Sequence, residues 1–312
     1  MFEKGHLLSM HDLSEGDIFK IISAAKQMKK IVTGTHKKTD HLAGKSIQTL
    51  FYENSTRTRV SFELAAKYMG AATASLSAPS SSVAKGESLI DTGKTLERMG
   101  TDIIVLRHPM SGAPHLLARN VSCGVINAGD GVNEHPTQAL LDIFTIAEKK
   151  KNIKDLKIAI IGDIAHSRVA RGNIIGLSKM GAQVYVAGPG SLIPIAIEQM
   201  GAKLAKSADE AIEGADVVMA LRLQLERQKK GLFPTGREYH SLYGVTMERI
   251  GRAKKDMIIM HPAPINRGLE ISSDVADFKL SLIGEQVTNG VAVRMALLYF
   301  LTKRGLSDEI IN

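Results

Sequence analysis

The chain has 312 residues, 44% of them hydrophobic, enough for a sizeable core and, at roughly 150 residues per domain, about two domains. Forty Lys and Arg against 32 Asp and Glu leave a charge of +8, which suits nucleic acid or a small acidic substrate, but 4% aromatics and no Trp supply little base-stacking surface. A single cysteine, Cys123, excludes an intrachain disulfide framework and a Cys-rich zinc site. The first residues lack a secretory apolar core and no apolar run nears the roughly 18 residues of a membrane span, so a soluble, cytoplasmic protein is expected.

Ser14, followed by Glu15 and Asp17, predicts a capped helix start, and residues 18–32 continue at helical spacing. Short apolar runs then alternate with longer amphipathic segments. SIQTLFY (46–52), ATASL (72–76), DIIVLR (102–107) and CGVINA (123–128) form one series, with Cys123 expected as a small apolar residue in a buried strand. KIAIIGD (157–163), AQVYVAG (182–188), DVVMALR (216–222) and DMIIMH (256–261) form a second. The alternation predicts an α/β chain with two doubly wound parallel-sheet domains, four strands in each. Residues 136–155 read as a helix running into a charged, exposed turn, a connector between the halves. The apolar helix from residue 288 is expected to pack back across the first domain. The expected boundaries are 1–134 plus 288–312, a connecting helix at 135–150, and 151–287.

Two glycine motifs fail on spacing. LAGKS (42–46) ends like a phosphate-binding loop, but the required first glycine falls on Thr39. The turn after KIAIIG would need a second glycine where Ile164 stands, which argues against a dinucleotide.

Ser-Thr-Arg-Thr-Arg at 55–59 lies where a strand gives way to a helix. A helix start exposes unpaired N–H groups and a partial positive charge, so arginines there are unfavourable unless an anion is present. Ser55 is a natural N-cap, Thr56 and Thr58 add hydroxyls, and Arg57 is placed for a phosphate. Arg59 stands four residues before Glu63 and reads as a helix-surface ion pair. Arg107, at a strand end, either faces a ligand crevice or pairs with a helix carboxylate; His108 reads as a structural or rim residue. Pro136 suits the first helical position, making His135 the cap, with Gln138 three residues on. Such a pair either caps the helix or grips an amide-like group, the imidazole donating to its oxygen and the Gln oxygen accepting its N–H. Lys85, in the loop SSSVAKGE, is either a solvated lysine or an anion clamp. Arg168, at a helix start, and Arg222 with Gln224, after another strand, suit a ligand with two carboxylates. HPAPINRG (261–268) is a stiff loop suited to presenting backbone carbonyls.

Taken together and in order, STRTR, SSSVAKGE, LRHP, HPTQ, GDIAHSRV, LRLQLER and HPAPINRG resemble the aspartate carbamoyltransferase catalytic chain over essentially the whole length. The ornithine relatives typically carry His-Cys-Leu-Pro where this chain has His261-Pro262-Ala263-Pro264, and a Ser-Met-Gly loop not found here. The resemblance implies that the first domain binds carbamoyl phosphate through Ser55, Thr56, Arg57, Thr58, Arg107, His135 and Gln138, with Ala263 and Pro264. Some members have Leu at the place of Ala263, a contact thought to use the backbone carbonyl. Thr58, Arg107 and His135 would polarise the carbonyl, and Gln138 would take the carbamoyl amino group. Lys85, Arg168, Arg222 and Gln224 would bind L-aspartate. Ser81 or Ser82, with Ser81 favoured by counting back from Lys85, would reach with Lys85 into a neighbouring subunit's site, which makes a homotrimer the working form. No metal or cofactor is implied, nor nucleic acid or membrane, and any regulatory chain would be a separate polypeptide. Another amine such as ornithine is the nearest alternative acceptor; a non-enzymatic phosphate- or nucleic-acid-binding protein is the alternative of another class.

Overall fold

The computed structural model describes residues 5–77, 86–223 and 235–302. The chain divides into two compact units, Met1–Leu141 with Thr288–Asn312, and Asp142–Val287. In the first, the described elements are β1 (His6–Leu7), α1 (Glu15–Thr33), β2 (Ser46–Phe51), α2 (Thr56–Tyr68), β3 (Ala72–Ser77), α3 (Leu89–Arg98), β4 (Ile103–His108), α4 (Ala113–Ala118) and β5 (Gly124–Asp130). Helix α5 (Pro136–Lys149) carries the chain into the second unit. There follow β6 (Lys157–Ile161), α6 (Arg168–Lys179), β7 (Gln183–Ala187), β8 (Ala202–Leu204), α7 (Ala208–Ile212), β9 (Val217–Ala220), α8 (Gly236–Tyr243), α9 (Met247–Ile250), β10 (Ile258–Met260) and α10 (Ser273–Ala276). Helix α11 (Ile283–Thr302) starts in the second unit and returns to the first.

Each unit holds a five-stranded, all-parallel sheet, ordered β1-β5-β4-β2-β3 and β10-β9-β6-β7-β8. The eight strands expected from apolar runs are present; β1 and β8 are additional. Both are edge strands of two and three residues, too short for periodicity to register. The central strands are buried on both faces, as Ile103–Leu106 and Val217–Ala220 illustrate, which is why they read as continuous apolar runs rather than alternating ones. In the second unit, alanines on β6, β7, α7 and β9 dominate the core, and small side chains let α7 lie close to its sheet.

Three sequence expectations change in detail. Cys123 precedes β5 instead of lying within it; it is half-buried, and its N–H donates to Glu97 Oε1 at 3.0 Å. The turn after α5 is not wholly exposed: Lys150 is buried, with Nζ 2.7 Å from Asp256 Oδ2 and 2.6 Å from the Asp256 carbonyl oxygen. Helix α11 begins at Ile283, five residues before the apolar stretch that announced it.

The expected capping box opens α1, Ser14 and Asp17 each accepting the other's backbone N–H at 3.1 Å. Helix α11 docks on α2 through Arg294, whose Nη1 donates to Ser61 Oγ at 2.7 Å while the guanidinium lies 5.0 Å from the Phe62 ring centroid. Gly290 makes room for that side chain; a Cβ there would stand 2.7 Å from Arg294 Nη1. Despite its apolar length, α11 is not a membrane span: no helix among the described residues is long and apolar enough to cross a bilayer.

The amino-terminal segment is tied down beside the HPTQ loop. Ser9 Oγ donates to Glu134 Oε1, Met10 N–H donates to Oε2 at 2.8 Å, and Asn127 Nδ2 donates to the Leu8 carbonyl at 2.9 Å. Burial pushes the Glu134 pKa above its ordinary 4.5, outweighing the two donors that favour the carboxylate. A raised folded pKa means that the folded chain keeps a proton the unfolded chain has lost. The contribution of Glu134 to stability is therefore greatest below pH 4.5 and declines as pH rises through the folded value. Glu134→Gln can still accept from Met10 and donate to Ser9, so urea midpoints measured against pH should lose this decline while the fold persists. An unchanged profile would contradict the assignment.

Candidate active site

In the first sheet the strand order reverses between β2 and β4, since β2 leads to β3 on one side and β3 to β4 on the other. Ligand crevices of open parallel sheets lie at such reversals, beyond the carboxyl ends of the strands. Phe51 at the end of β2 pairs in register with Arg107 of β4, and His108 with Asp130 of β5. At about 4.8 Å per strand, three neighbouring ends fall within ~10 Å. The segments that follow or form those ends are Ser55–Thr58, Arg107 and His135–Gln138, so three motifs far apart in sequence converge on one sheet edge.

Helix α2 opens at Thr56 with Ser55 in the N-cap position, as expected, but the Ser55 hydroxyl makes no capping bond. Ser14, Ser88 and Ser167 each do cap their helices. The Ser55 oxygen is thus not spent on its own helix, and no acidic residue occupies the first turn of α2 to offset its dipole. Thr58 is buried, while Thr56 and Arg57 are exposed. Arg59 Nε stands 3.9 Å from Glu63 Oε1, the i,i+4 pair that the spacing implies.

Arg107 pairs with a carboxylate, as one of its two readings has it. It ends a central strand at the reversal point, and its Nε lies 3.2 Å from Glu53 Oε2, with Nη1 donating to the Ala128 carbonyl at 3.4 Å. The paired carboxylate belongs to the loop before α2, not to a helix. Sequence reasoning passed over Glu53, although an acid two residues before the N-cap Ser55 was a usable signal. His108 is structural. Met110 N–H donates to its Nδ1 at 3.0 Å, Tyr52 lies against its ring at 4.6 Å, and burial holds its pKa below 6.5 despite the nearby Glu53.

The His135 carbonyl accepts from Gln138 N–H at 2.9 Å and Ala139 N–H at 3.2 Å, the cap position expected ahead of Pro136. The ring is buried, with Thr137 Oγ1 3.3 Å from Nδ1. When that hydroxyl donates, the ring proton sits on Nε2, the tautomer needed to donate to a carbonyl oxygen. Gln138 is half-buried.

The second sheet reverses between β6 and β9. The turn after β6 begins at Gly162, whose φ of 138° and proximity to Leu221 leave no space for a side chain. Ser167 caps α6, and Arg168 is its first residue, buried. Arg222 lies two residues past β9 and is half-buried. The two arginines therefore flank the reversal point of this sheet. Asp163 is also there, but its oxygens accept from His166 N–H at 3.1 Å and lie 3.0 and 3.1 Å from His166 Nδ1.

After β10 the chain forms the His261–Gly268 loop. Ala263 has φ 50° and precedes a cis peptide to Pro264. Its N–H donates to His261 Nδ1 at 2.8 Å, so the ring proton is on Nε2, which faces Glu270 Oε1 at 3.2 Å. Gln224, Ser81, Ser82 and Lys85 lie outside the described residues. Among those described, no group of three His, Cys, Asp or Glu side chains is arranged to hold a metal ion.

Residues 5–148 match the family described as aspartate/ornithine carbamoyltransferase, carbamoyl-P binding domain, and residues 154–301 its Asp/Orn binding domain. The aspartate carbamoyltransferase catalytic subunit of Ruminiclostridium cellulolyticum is 66% identical over 97% of each chain. Among solved structures, ornithine carbamoyltransferase from Pyrococcus furiosus superposes with a TM-score of 0.86 at 30% identity, covering 97% of this chain and 98% of that one. Aspartate transcarbamoylase from Trypanosoma cruzi in complex with carbamoyl phosphate gives 0.86 at 30%, covering 94% of each. The backbone is thus equally close to both branches, while the sequence is far closer to a relative of the aspartate type. With both halves matched, and with its charged motifs gathered at the two reversal points, the chain belongs to the aspartate/ornithine carbamoyltransferase family.

Proposed function

We propose that the chain transfers the carbamoyl group of carbamoyl phosphate to the amine of L-aspartate, releasing N-carbamoyl-L-aspartate and phosphate, a step of de novo pyrimidine biosynthesis. The observation that carries the reading is the gathering of STRTR, Arg107 and HPTQ at the reversal point of the first sheet. That edge offers a phosphate site and a carbonyl-plus-amide site side by side, which is the chemistry of one small ligand.

In this reading Ser55, Thr56, Arg57 and Thr58 hold the phosphate on the start of α2. Arg107, oriented by Glu53, bridges phosphate and carbonyl oxygen. Thr58, Arg107 and His135 polarise the carbonyl, and Gln138 accepts from the carbamoyl N–H, with the Ala263 and Pro264 carbonyls as further acceptors. The deprotonated aspartate amine attacks the carbamoyl carbon. Negative charge builds on the carbonyl oxygen, and each pre-placed donor there is worth about 3 kcal/mol in the transition state. The C–O bond to phosphate then breaks, and the departing phosphate takes the amine proton.

Aspartate is preferred to ornithine because the second sheet's reversal point carries two arginines. The amine of ornithine needs a carboxylate, and Asp163, the acid in that position, is engaged by His166. Lys85 and Gln224 complete the aspartate site, and Lys85 with Ser81 reaches into a neighbouring subunit of a cytoplasmic homotrimer. The proposed domain limits are 1–134 with 288–312 for carbamoyl phosphate, 135–150 as the connecting helix, and 151–287 for aspartate.

Phosphate release measured with carbamoyl phosphate should be rapid with L-aspartate and absent with L-ornithine; turnover with ornithine alone would replace this reading with the other branch of the family. Arg57→Ala should lower kcat/KM by about 10²–10³-fold without loss of fold. Arg59→Ala, which removes a half-exposed pair, should cost under about 1 kcal/mol of stability and leave turnover near wild type. Equal catalytic loss in both variants would contradict the division of roles. Mixing inactive Lys85→Ala and Arg57→Ala chains should regenerate activity in hybrid trimers, and wholly inactive mixtures would rule out a shared site.

A further inference from the structure

The second unit contains a run of buried polar side chains for which the functional reading has no role. Asn173 of α6 donates from Nδ2 to the Val169 carbonyl, next to Arg168, at 3.1 Å, and to Asp142 Oδ2 at 2.8 Å. Asp142 Oδ1 accepts from Gln286 Nε2 at 2.8 Å, and Gln286 Oε1 accepts from His261 N–H at 3.0 Å. The His261 ring continues the run through Nε2 to Glu270 Oε1 at 3.2 Å. Glu270 Oε1 also accepts from Asn266 N–H at 2.6 Å, and Asn266 Nδ2 donates to the Leu223 carbonyl, next to Arg222, at 3.3 Å. Asn173, Asp142, Gln286, His261 and Glu270 are each no more than 3% exposed.

The order of donors and acceptors is forced. A carboxylate only accepts, so Asp142 draws the NH₂ group of Gln286 and leaves the amide oxygen to face His261 N–H. Ala263 N–H occupies His261 Nδ1, so Nε2 must be the donor toward Glu270. Burying carboxylates is costly unless donors reach them; each oxygen of Asp142 receives one, both donors to Glu270 fall on Oε1, and a chain of this kind stiffens what it joins. What it joins are the residues adjoining Arg168 and Arg222 and the loop containing Ala263 and Pro264.

We propose that this hydrogen-bonded chain, anchored at Asp142, positions the Arg168 and Arg222 ends and the His261–Pro264 turn as one rigid edge of the acceptor site. Asp142 is then a positioning residue that never touches substrate. The inference rests on the carbamoyltransferase reading for its kinetic consequence only.

The test exchanges acid and amide. Asp142→Asn alone sets an NH₂ group against that of Gln286, or turns it toward Asn173. Gln286→Glu alone brings two carboxylates together. The double variant restores every bond: the amide introduced at position 142 accepts from Asn173 and donates to the carboxylate introduced at position 286, which in turn accepts from His261 N–H. Each single variant should raise KM for aspartate about tenfold, with kcat changed less, and should lower hydrogen-exchange protection of the His261 and Ala263 amides while β7 stays protected. The double variant should recover both to within about twofold. Singles with unchanged KM and protection, or a double no better than the singles, would overturn the proposal. Should a single variant fail to fold, the double is read directly against wild type, where loss of KM and protection counts against the chain and retention supports it. A wild-type chain with no transfer to aspartate would sink the functional reading instead, and the exchange measurement would still decide the role of Asp142.

Discussion

A parallel sheet places the carboxyl ends of its strands beside the amino ends of the helices that follow, and both units depend on that constraint. Strand ends carry side chains out of the hydrogen-bonded ladder, and helix starts carry N–H groups that no carbonyl of the same helix can reach. Where the strand order reverses, successive helices leave on opposite sides and a crevice opens between them. The first unit uses that place for STRTR and Arg107, the second for Arg168 and Arg222. The apolar residues of β4 and β9 are thus what allow charged residues to stand at fixed separations, because a strand buried on both faces cannot slip register without exposing its core.

Local conflict is found at the strand ends where the charged motifs gather. An N-cap serine that does not cap, arginines against a helix dipole, and Ala263 in a left-handed backbone region each go against intrinsic preference. Ser14, Ser88, Ser167 and Ser207 accept from their own helices, whereas Ser272 also leaves its helix uncapped and Asp155 also has a positive φ.

Much of this was legible in the sequence, because the informative signals are local. Eight strands announced themselves as apolar runs, and STRTR, HPTQ and the Arg59–Glu63 pair could be read from spacing within single helices. Strands β1 and β8 could not be, since two or three residues carry no period and exist only through pairing with β5 and β7. Nor could Glu53 be matched with Arg107, because their meeting depends on β2 and β4 being neighbours although β3 lies between them in the chain. The polar run through Asp142, Gln286 and His261 was invisible for the same reason: its members are up to 144 positions apart, and each alone resembles an ordinary helix or loop residue.

Helix α11 has a consequence for how the chain comes into being. The segment that seats α2, through Arg294 on Ser61 and Phe62, follows the whole second unit in the order of synthesis and lies 233 positions beyond its partner. A nascent chain emerging from the ribosome can complete the second unit while the first still lacks its last helix. The earliest-made half is therefore the last to close, and α2 waits with an uncovered face until translation is nearly over.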